Sequence, residues 1–210
     1  NELCGTHSME TYPSWSPDGK WLYFCRGNAY AKGVPLDSIR YDLCRVSFDS
    51  DKQLFGKPER LYASSAKRRT VSLPRVSPDG RYVLFVEFDY GNFAIWHPEA
   101  ELSILDLKTG MVREAHELNS SEVESFHTWS STGRWVVFSS KRMDGGWTRP
   151  YFAHFDPLTG VFSKPFALPQ RDPSFYDTFM YSYNLPELIT SPISNANKLL
   201  EGIGYGKPIP

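Results

Sequence analysis

The chain has 210 residues, enough for one domain with a sizeable core, and 23 Lys plus Arg against 24 Asp plus Glu leave a net charge of −1. That balance argues against a nucleic-acid or membrane-surface partner held by bulk charge, and no apolar run approaches the ~18 residues of a membrane-spanning helix. The 14 Phe, 12 Tyr and 6 Trp, with 15 Gly and 16 Pro, favour short strands joined by tight turns, hence an all-β chain.

In chain order, the first informative stretch is Tyr12-Pro-Ser-Trp-Ser-Pro-Asp-Gly-Lys-Trp-Leu-Tyr-Phe-Cys25. Asp18-Gly19 predicts a type I′ hairpin turn with both central residues at positive φ, and the aromatic run after it predicts the outgoing strand. Strands are expected at 12–15, 21–26, 41–48 and 59–63, with a long loop over 27–39. The same plan returns at Leu73-Pro-Arg-Val-Ser-Pro-Asp-Gly-Arg-Tyr-Val-Leu-Phe-Val86, predicting strands at 71–76, 82–88, 102–106 and 112–115. A weaker third copy is Phe126-His-Thr-Trp-Ser-Ser-Thr-Gly-Arg-Trp-Val-Val-Phe-Ser139, where Ser-Thr replaces Pro-Asp. Aligned on Gly19, Gly80 and Gly133, the copies are 61 and 53 residues apart. A second shared signal closes the third strand of two units, Asp106-Leu-Lys-Thr-Gly110 and Asp156-Pro-Leu-Thr-Gly160. In each outgoing strand both alternating faces are apolar, as expected of a sheet packed between two others.

The tail changes character. Asp172-Pro173 predicts a helix start, with Phe175, Phe179 and Tyr183 on one face and Asn184-Leu-Pro186 as the stop. From Ser191 onward the composition predicts irregular chain.

The repeated Ser-Pro-Asp-Gly-Lys/Arg turn with its aromatic strand resembles the WD40-like (PD40) repeat of TolB-type β-propellers, found in bacterial envelope proteins and in propeller domains of some peptidases; the resemblance covers about residues 11–168. It implies a β-propeller of about three four-stranded antiparallel blades with one short C-terminal helix: blade one at 11–64, blade two at 70–117, blade three at 125–169, helix and tail at 172–210. It further implies a periplasmic or envelope location and a binding role. Closed propellers use about 4–8 blades, so three make an incomplete ring. Its end faces, Trp21 to Phe24 or Trp135 to Phe138, are then expected to be exposed unless upstream blades, self-association or the tail covers them, with upstream blades favoured.

Chemistry-bearing residues are sparse. The five histidines show no metal-ligand spacing, so no metal or other cofactor is expected, and His127 and His154 are read as hydrogen-bonded strand residues. There is no G-x-S-x-G elbow, P-loop or G-x-G-x-x-G. Ser16, Ser77 and Ser130 recur at each turn and so serve the turn; a nucleophile would be unique. These features favour a non-catalytic module. Cys25 and Cys44 fall on strands expected to be neighbours, where a bridge is conceivable and buried free thiols are favoured.

In a propeller the loops between second and third strands gather on one face. Here they carry Arg26, Asn28 and Tyr30 in blade one, Asn92, Trp96 and His97 in blade two, and Trp147 and Arg149 in blade three. Trp96, Trp147, Arg149 and Tyr30 are expected to share one shallow depression. Aromatic and Arg side chains dominate contact energy at interfaces, and capping of the sheet ends is the competing role for these rings. Two readings follow: an interaction or scaffold module of the bacterial envelope binding a protein partner, or the substrate-binding propeller domain of a larger processing enzyme, its ligand a short oligosaccharide or peptide.

Overall fold

The computed structural model describes residues 8–28 and 34–194. Three antiparallel sheets follow one another along the chain. The first holds β1 (Ser8–Trp15), β2 (Trp21–Asn28), β3 (Tyr41–Asp49), β4 (Leu54–Phe55) and β5 (Glu59–Tyr62). The second holds β6 (Thr70–Val76), β7 (Tyr82–Phe88), β8 (Glu101–Asp106) and β9 (Met111–Glu114). The third holds β10 (Glu124–Trp129), β11 (Trp135–Ser140), β12 (Arg149–Asp156), β13 (Val161–Phe162) and β14 (Phe166–Ala167), followed by one short helix, α1 (Phe175–Thr178). Among the described residues no helix is long and apolar enough to cross a membrane. The sheets are the three expected blades.

Burial on both faces holds the blades together. Tyr23, Cys25, Tyr41 and Leu43 of blade one meet Val71, Val83, Phe85 and Leu105 of blade two. On the other side of blade two, Tyr82, Leu84, Val86 and Ile104 meet Trp129, Val136, Phe138, Ala153 and Phe155 of blade three. Every residue of β7 is buried, and each large aliphatic or aromatic side chain removed from water there is worth about 1.5–3 kcal/mol. Cys25 and Cys44 are free thiols. Because Cys44 pairs with Phe24 and Cys25 with Leu43, the two thiols project from opposite faces of the sheet.

The hairpin turns differ from the expected type. Gly19, Gly80 and Gly133 have φ of +68°, +72° and +67°, but Asp18 and Asp79 are not at positive φ, so the turn is not I′. Instead Gly19 N donates to Ser16 O (2.9 Å) and Gly80 N to Ser77 O (2.8 Å), a type I-like turn followed by a left-handed glycine, the three-to-five-residue solution. Serine completes it. Ser16 Oγ donates to Asp18 Oδ1 (2.6 Å) and accepts from Trp21 N (3.0 Å); Ser77 repeats this with Asp79 and Tyr82. In blade three Thr132 takes the aspartate's place, its hydroxyl 3.0 Å from Ser130 Oγ.

A second repeated device lies seven residues before each glycine. Tyr12, Leu73 and Phe126 have φ of +54°, +53° and +49°, and the register of the first strand shifts at those positions in all three blades. A left-handed bulky residue costs roughly 1–2 kcal/mol, so a conformation built three times is held by its surroundings. Tyr12 Oη donates to the carbonyl of Asn92, Leu73 packs on the core between blades two and three, and the buried His127 beside Phe126 bonds through Nε2 to Leu84 O (2.9 Å). His127 stands where the other blades have Pro13 and Pro74.

The fourth strand also departs from the plan. It is continuous in blade two, but in blades one and three it splits into β4/β5 and β13/β14. Pro58 and Pro165 sit in the breaks, where a residue without an N–H cannot continue a ladder.

Helix α1 spans four residues with Ser174 as its N-cap, shorter than the expected run to Tyr183. Tertiary bonds take the backbone that a longer helix would use. Arg149 Nη2 donates to Phe179 O (2.6 Å) and Nη1 to Tyr181 O (2.7 Å), and Tyr183 N donates to Thr148 O (3.1 Å). The expected aromatic row survives as ring contacts, Phe175–Phe179 at 4.7 Å and Phe179–Tyr183 at 5.4 Å. Beyond it, Asn184 O accepts from Ser139 Oγ (3.2 Å) and Glu187 from Thr128 Oγ1 (3.4 Å), so the tail crosses the far face of blade three. The exposure expected of the end faces is therefore smaller on blade three, where the tail lies, and on both end blades it is confined to a few rings. Of the residues expected there, Tyr23, Phe24, Val136, Val137 and Phe138 are at most 2% exposed, Trp21 and Leu22 are half-buried and Trp135 is 40% exposed, with Trp15 and Phe55 exposed beside the first set and Phe166 beside the second.

Two outcomes follow. Burial holds His127 down to a pKa of about 3, against 6.5 ordinarily. Between pH 6.5 and 3 the unfolded chain thus binds one more proton, and stability falls on acidification by up to about 1.4 kcal/mol per pH unit from this group. Urea midpoints measured from pH 7 to 4 should fall less steeply in His127→Gln than in the parent. Secondly, Arg149→Met strands two carbonyls and should cost about 3 kcal/mol, with proteolysis of the 175–187 segment as its first sign. Arg149→Lys should restore only part, because a point ammonium cannot fork to two acceptors.

Candidate functional site

The blade-two loop between β7 and β8 is fixed by bonds from both neighbouring elements. Gly91, at φ +74°, donates to Ile39 O (2.9 Å) of the blade-one loop. Its own carbonyl accepts from Thr70 Oγ1 (3.0 Å), which in turn accepts from Tyr41 N (2.9 Å). Tyr12 Oη holds Asn92 O, and burial, before the neighbouring Cys25 and Tyr41, pushes the Tyr12 phenol up to about 12, so it is a donor at every physiological pH. A rigid backbone results.

On that frame lies a cleft of about 440 Å³, lined by Leu36 from blade one and by residues 89–93 and 96–99 from blade two. The 3₁₀ turn Ala94–Trp96 puts Trp96 on the rim, 77% exposed, with Phe93 at 64%. Such exposure does not cap a sheet end. His97 lies inward, its ring 4.9 Å from that of Phe88 and 4.7 Å from that of Tyr90, with Nδ1 2.8 Å from Glu99 Oε1. Burial raises the Glu99 carboxyl, but hydrogen bonds from its backbone and His97 outweigh it, and its pKa lies below the usual value. Asp89 is paired with Arg69 Nη1 at 2.9 Å, and Arg69 also reaches the carbonyls of Glu87 and Glu99.

The blade-three loop opens at the same end. Lys141 from it stands over the Trp96 ring, Nζ 5.3 Å from the centroid. Asp144 ties the loop down by accepting from Gly146 N and Trp147 N, both at 2.8 Å. Burial works to raise the Asp144 carboxyl, yet these bonds and the Arg149 charge hold it below its ordinary value.

The expected residues are distributed as follows. Asn92, Trp96 and His97 share the cleft. Trp147, 37% exposed, is at the same end but does not line it. Arg149 is 1% exposed, its guanidinium bonded to the tail carbonyls and 5.4 Å and 5.6 Å from the rings of Tyr176 and Phe179, so it anchors the tail. Arg26 pairs with Glu10 at 2.9 Å and lines a separate polar cleft with Arg40, Asp42 and Arg60. Tyr30 and the side chain of Asn28 lie outside the described residues. The single depression expected across three blades is thus divided, because Arg149 turns inward and Arg26 opens on the other side of its sheet. Sequence reasoning passed over Phe93, Glu99 and Leu36; Phe93 was legible as the aromatic after Gly91-Asn92, whereas Glu99 and Leu36 join the cleft only through the loop's folding.

No family model and no curated sequence matches the chain. Solved structures do resemble it. An oligogalacturonate lyase in complex with manganese superposes with a TM-score of 0.54 at 14% identity, over 80% of this chain and 44% of that one. The Dos1 propeller gives a TM-score of 0.50 at 13% identity, over 78% and 38%. The β-propeller domain of the Trilobed protease from Pyrococcus furiosus gives 0.44 at 14%, over 79% and 44%. The chain therefore spans less than half the length of these neighbours, and the first two likenesses, with the three stacked sheets, establish the β-propeller fold.

Proposed function

We propose that this chain is a non-catalytic binding propeller of the bacterial cell envelope, TolB-like in its PD40 repeats, that receives a protein partner on the face formed by its second-to-third-strand loops. One observation carries the reading: an exposed Trp96 and Phe93 flank a cleft whose backbone is fixed by bonds from blade one. Holding large rings in water on a rigid frame has no use for folding, and rigid aromatic anchors are what interfaces concentrate their energy on. The repeated turn residues, Ser16-Pro-Asp-Gly19 and Ser77-Pro-Asp-Gly80, support the TolB-like reading and, through it, the envelope location.

A second reading has one observation behind it. The cleft volume of about 440 Å³ also suits a compact ligand, as in a substrate-binding propeller domain of a larger carbohydrate- or peptide-processing enzyme; a lyase stands among the neighbours.

The test is capture from an envelope extract together with oligosaccharide and peptide arrays, using the parent chain and Trp96→Ala. The expected outcome is a partner whose affinity drops about 30-fold or more in Trp96→Ala, the scale of a hot spot of ~2 kcal/mol, with unchanged circular dichroism and melting temperature. Retention of a free oligosaccharide or peptide instead favours the second reading. Binding indifferent to Trp96 and Phe93 removes the cleft from both.

A further inference from the structure

We infer that the Trp96 cleft recognises a cationic side chain, a lysine or arginine presented by the partner, with the indole face as the seat of the charge; this rests on the binding-face reading and names the partner's chemistry.

The molecule already displays the interaction. Lys141, on the neighbouring blade's loop, places its ammonium 5.3 Å from the centre of the Trp96 ring, within the ~6 Å over which a ring quadrupole attracts a cation. At so exposed a ring the contact is worth only about 0.5–1 kcal/mol, so Lys141 is a weak, exchangeable occupant. A ligand cation gains more, because the walls add carboxylates. Asp89 and Glu99 both line the cleft, their side chains 54% and 38% exposed, while among the described residues no lysine or arginine lines it. Arg69 Nη1 holds Asp89 through Oδ1, and His97, itself a lining residue, holds Glu99 through Oε1, so the positions of both acids are fixed.

Other ligand classes fit less well. An anionic group entering the cleft meets both carboxylates. A neutral sugar stacked on Trp96 displaces Lys141 without replacing its charge. A guanidinium or ammonium replaces Lys141 on the ring in kind and reaches towards carboxylates that Lys141, anchored on the next blade, is not bonded to.

The experiment uses the full chain and three blocked tripeptides, acetyl-Gly-Arg-Gly-amide, acetyl-Gly-Gln-Gly-amide and acetyl-Gly-Glu-Gly-amide, with maltotriose as a neutral sugar. The Trp96 indole N–H is followed by NMR, assigned by its absence in Trp96→Phe. The Arg peptide is expected to shift that signal with an affinity that weakens as salt rises and drops in Asp89→Asn. Removing the internal competitor in Lys141→Gln should tighten it two- to fivefold, the fold-change equivalent of the cation–ring contact. Equal or stronger binding of the Gln peptide, the Glu peptide or maltotriose at the Trp96 signal overturns the cationic inference and leaves the cleft as a binding site. No change in Lys141→Gln overturns it too, since the internal cation would then not be seated where the ligand goes. A Trp96 signal that no probe moves overturns the inference and the binding-face reading together.

Discussion

Strand β7 has no solvent side: Val83 and Phe85 face one sheet, Leu84 and Val86 the other, and all four are fully buried. Stacking of this kind dictates most of what surrounds it. A sheet buried on both faces can meet water only at its ends and its outer edge, so turns and loops carry every adjustable feature. The narrow ends of the stack crowd the first strands together, β6 between β1 and β10. There each first strand bends, and the left-handed residue at Tyr12, Leu73 and Phe126 provides the bend at a cost that the packing offsets.

Much of this was legible in the residues, for a physical reason. The Ser-x-Asp-Gly turn is a local structure whose bonds run between residues two to five apart, so its sequence reports it directly. The turn type was misjudged because Asp-Gly alone suits a two-residue loop, whereas the serine two positions earlier closes a longer one. The bulge left a signal that went unread. Pro13 and Pro74 interrupt strands that are otherwise well patterned, and proline inside a strand belongs at an edge or a bulge. Pro58 and Pro165 said the same of the fourth strands. In each case a missing N–H was visible in the sequence before the ladder that lacked it.

The candidate site was legible in part only. Trp96 and His97 were found because loop position in a repeat is a geometric statement. Arg149 was misplaced because its role depends on a partner 30 residues away: the carbonyls of Phe179 and Tyr181. The same bonds explain why α1 stops at Thr178 despite an aromatic row that would continue it. Local propensity over four or five residues contributes tenths of a kcal/mol per residue, while a buried guanidinium forked to two carbonyls contributes several times more.

The cleft takes its rigidity from the blade junctions as well as from the bonds within its own loop, where His97 N donates to Ala94 O (2.9 Å) and Ala100 N to His97 O (3.0 Å). Blade one supplies Tyr12 and Ile39 to hold residues 91 and 92, and β6 supplies Thr70. Blade three holds the far end of the loop through Glu124 N, which donates to Ala100 O (2.9 Å), and through the core on which Ala94 packs, and it lays Lys141 over Trp96. The walls are therefore fixed by backbone bonds from both neighbouring blades, and the Trp96 rim carries one long, flexible side chain. Such a frame keeps the entropic cost of binding low, since little backbone remains to be ordered. The adjustable part is the Lys141 side chain, so that selectivity among partners lies with what displaces it from Trp96.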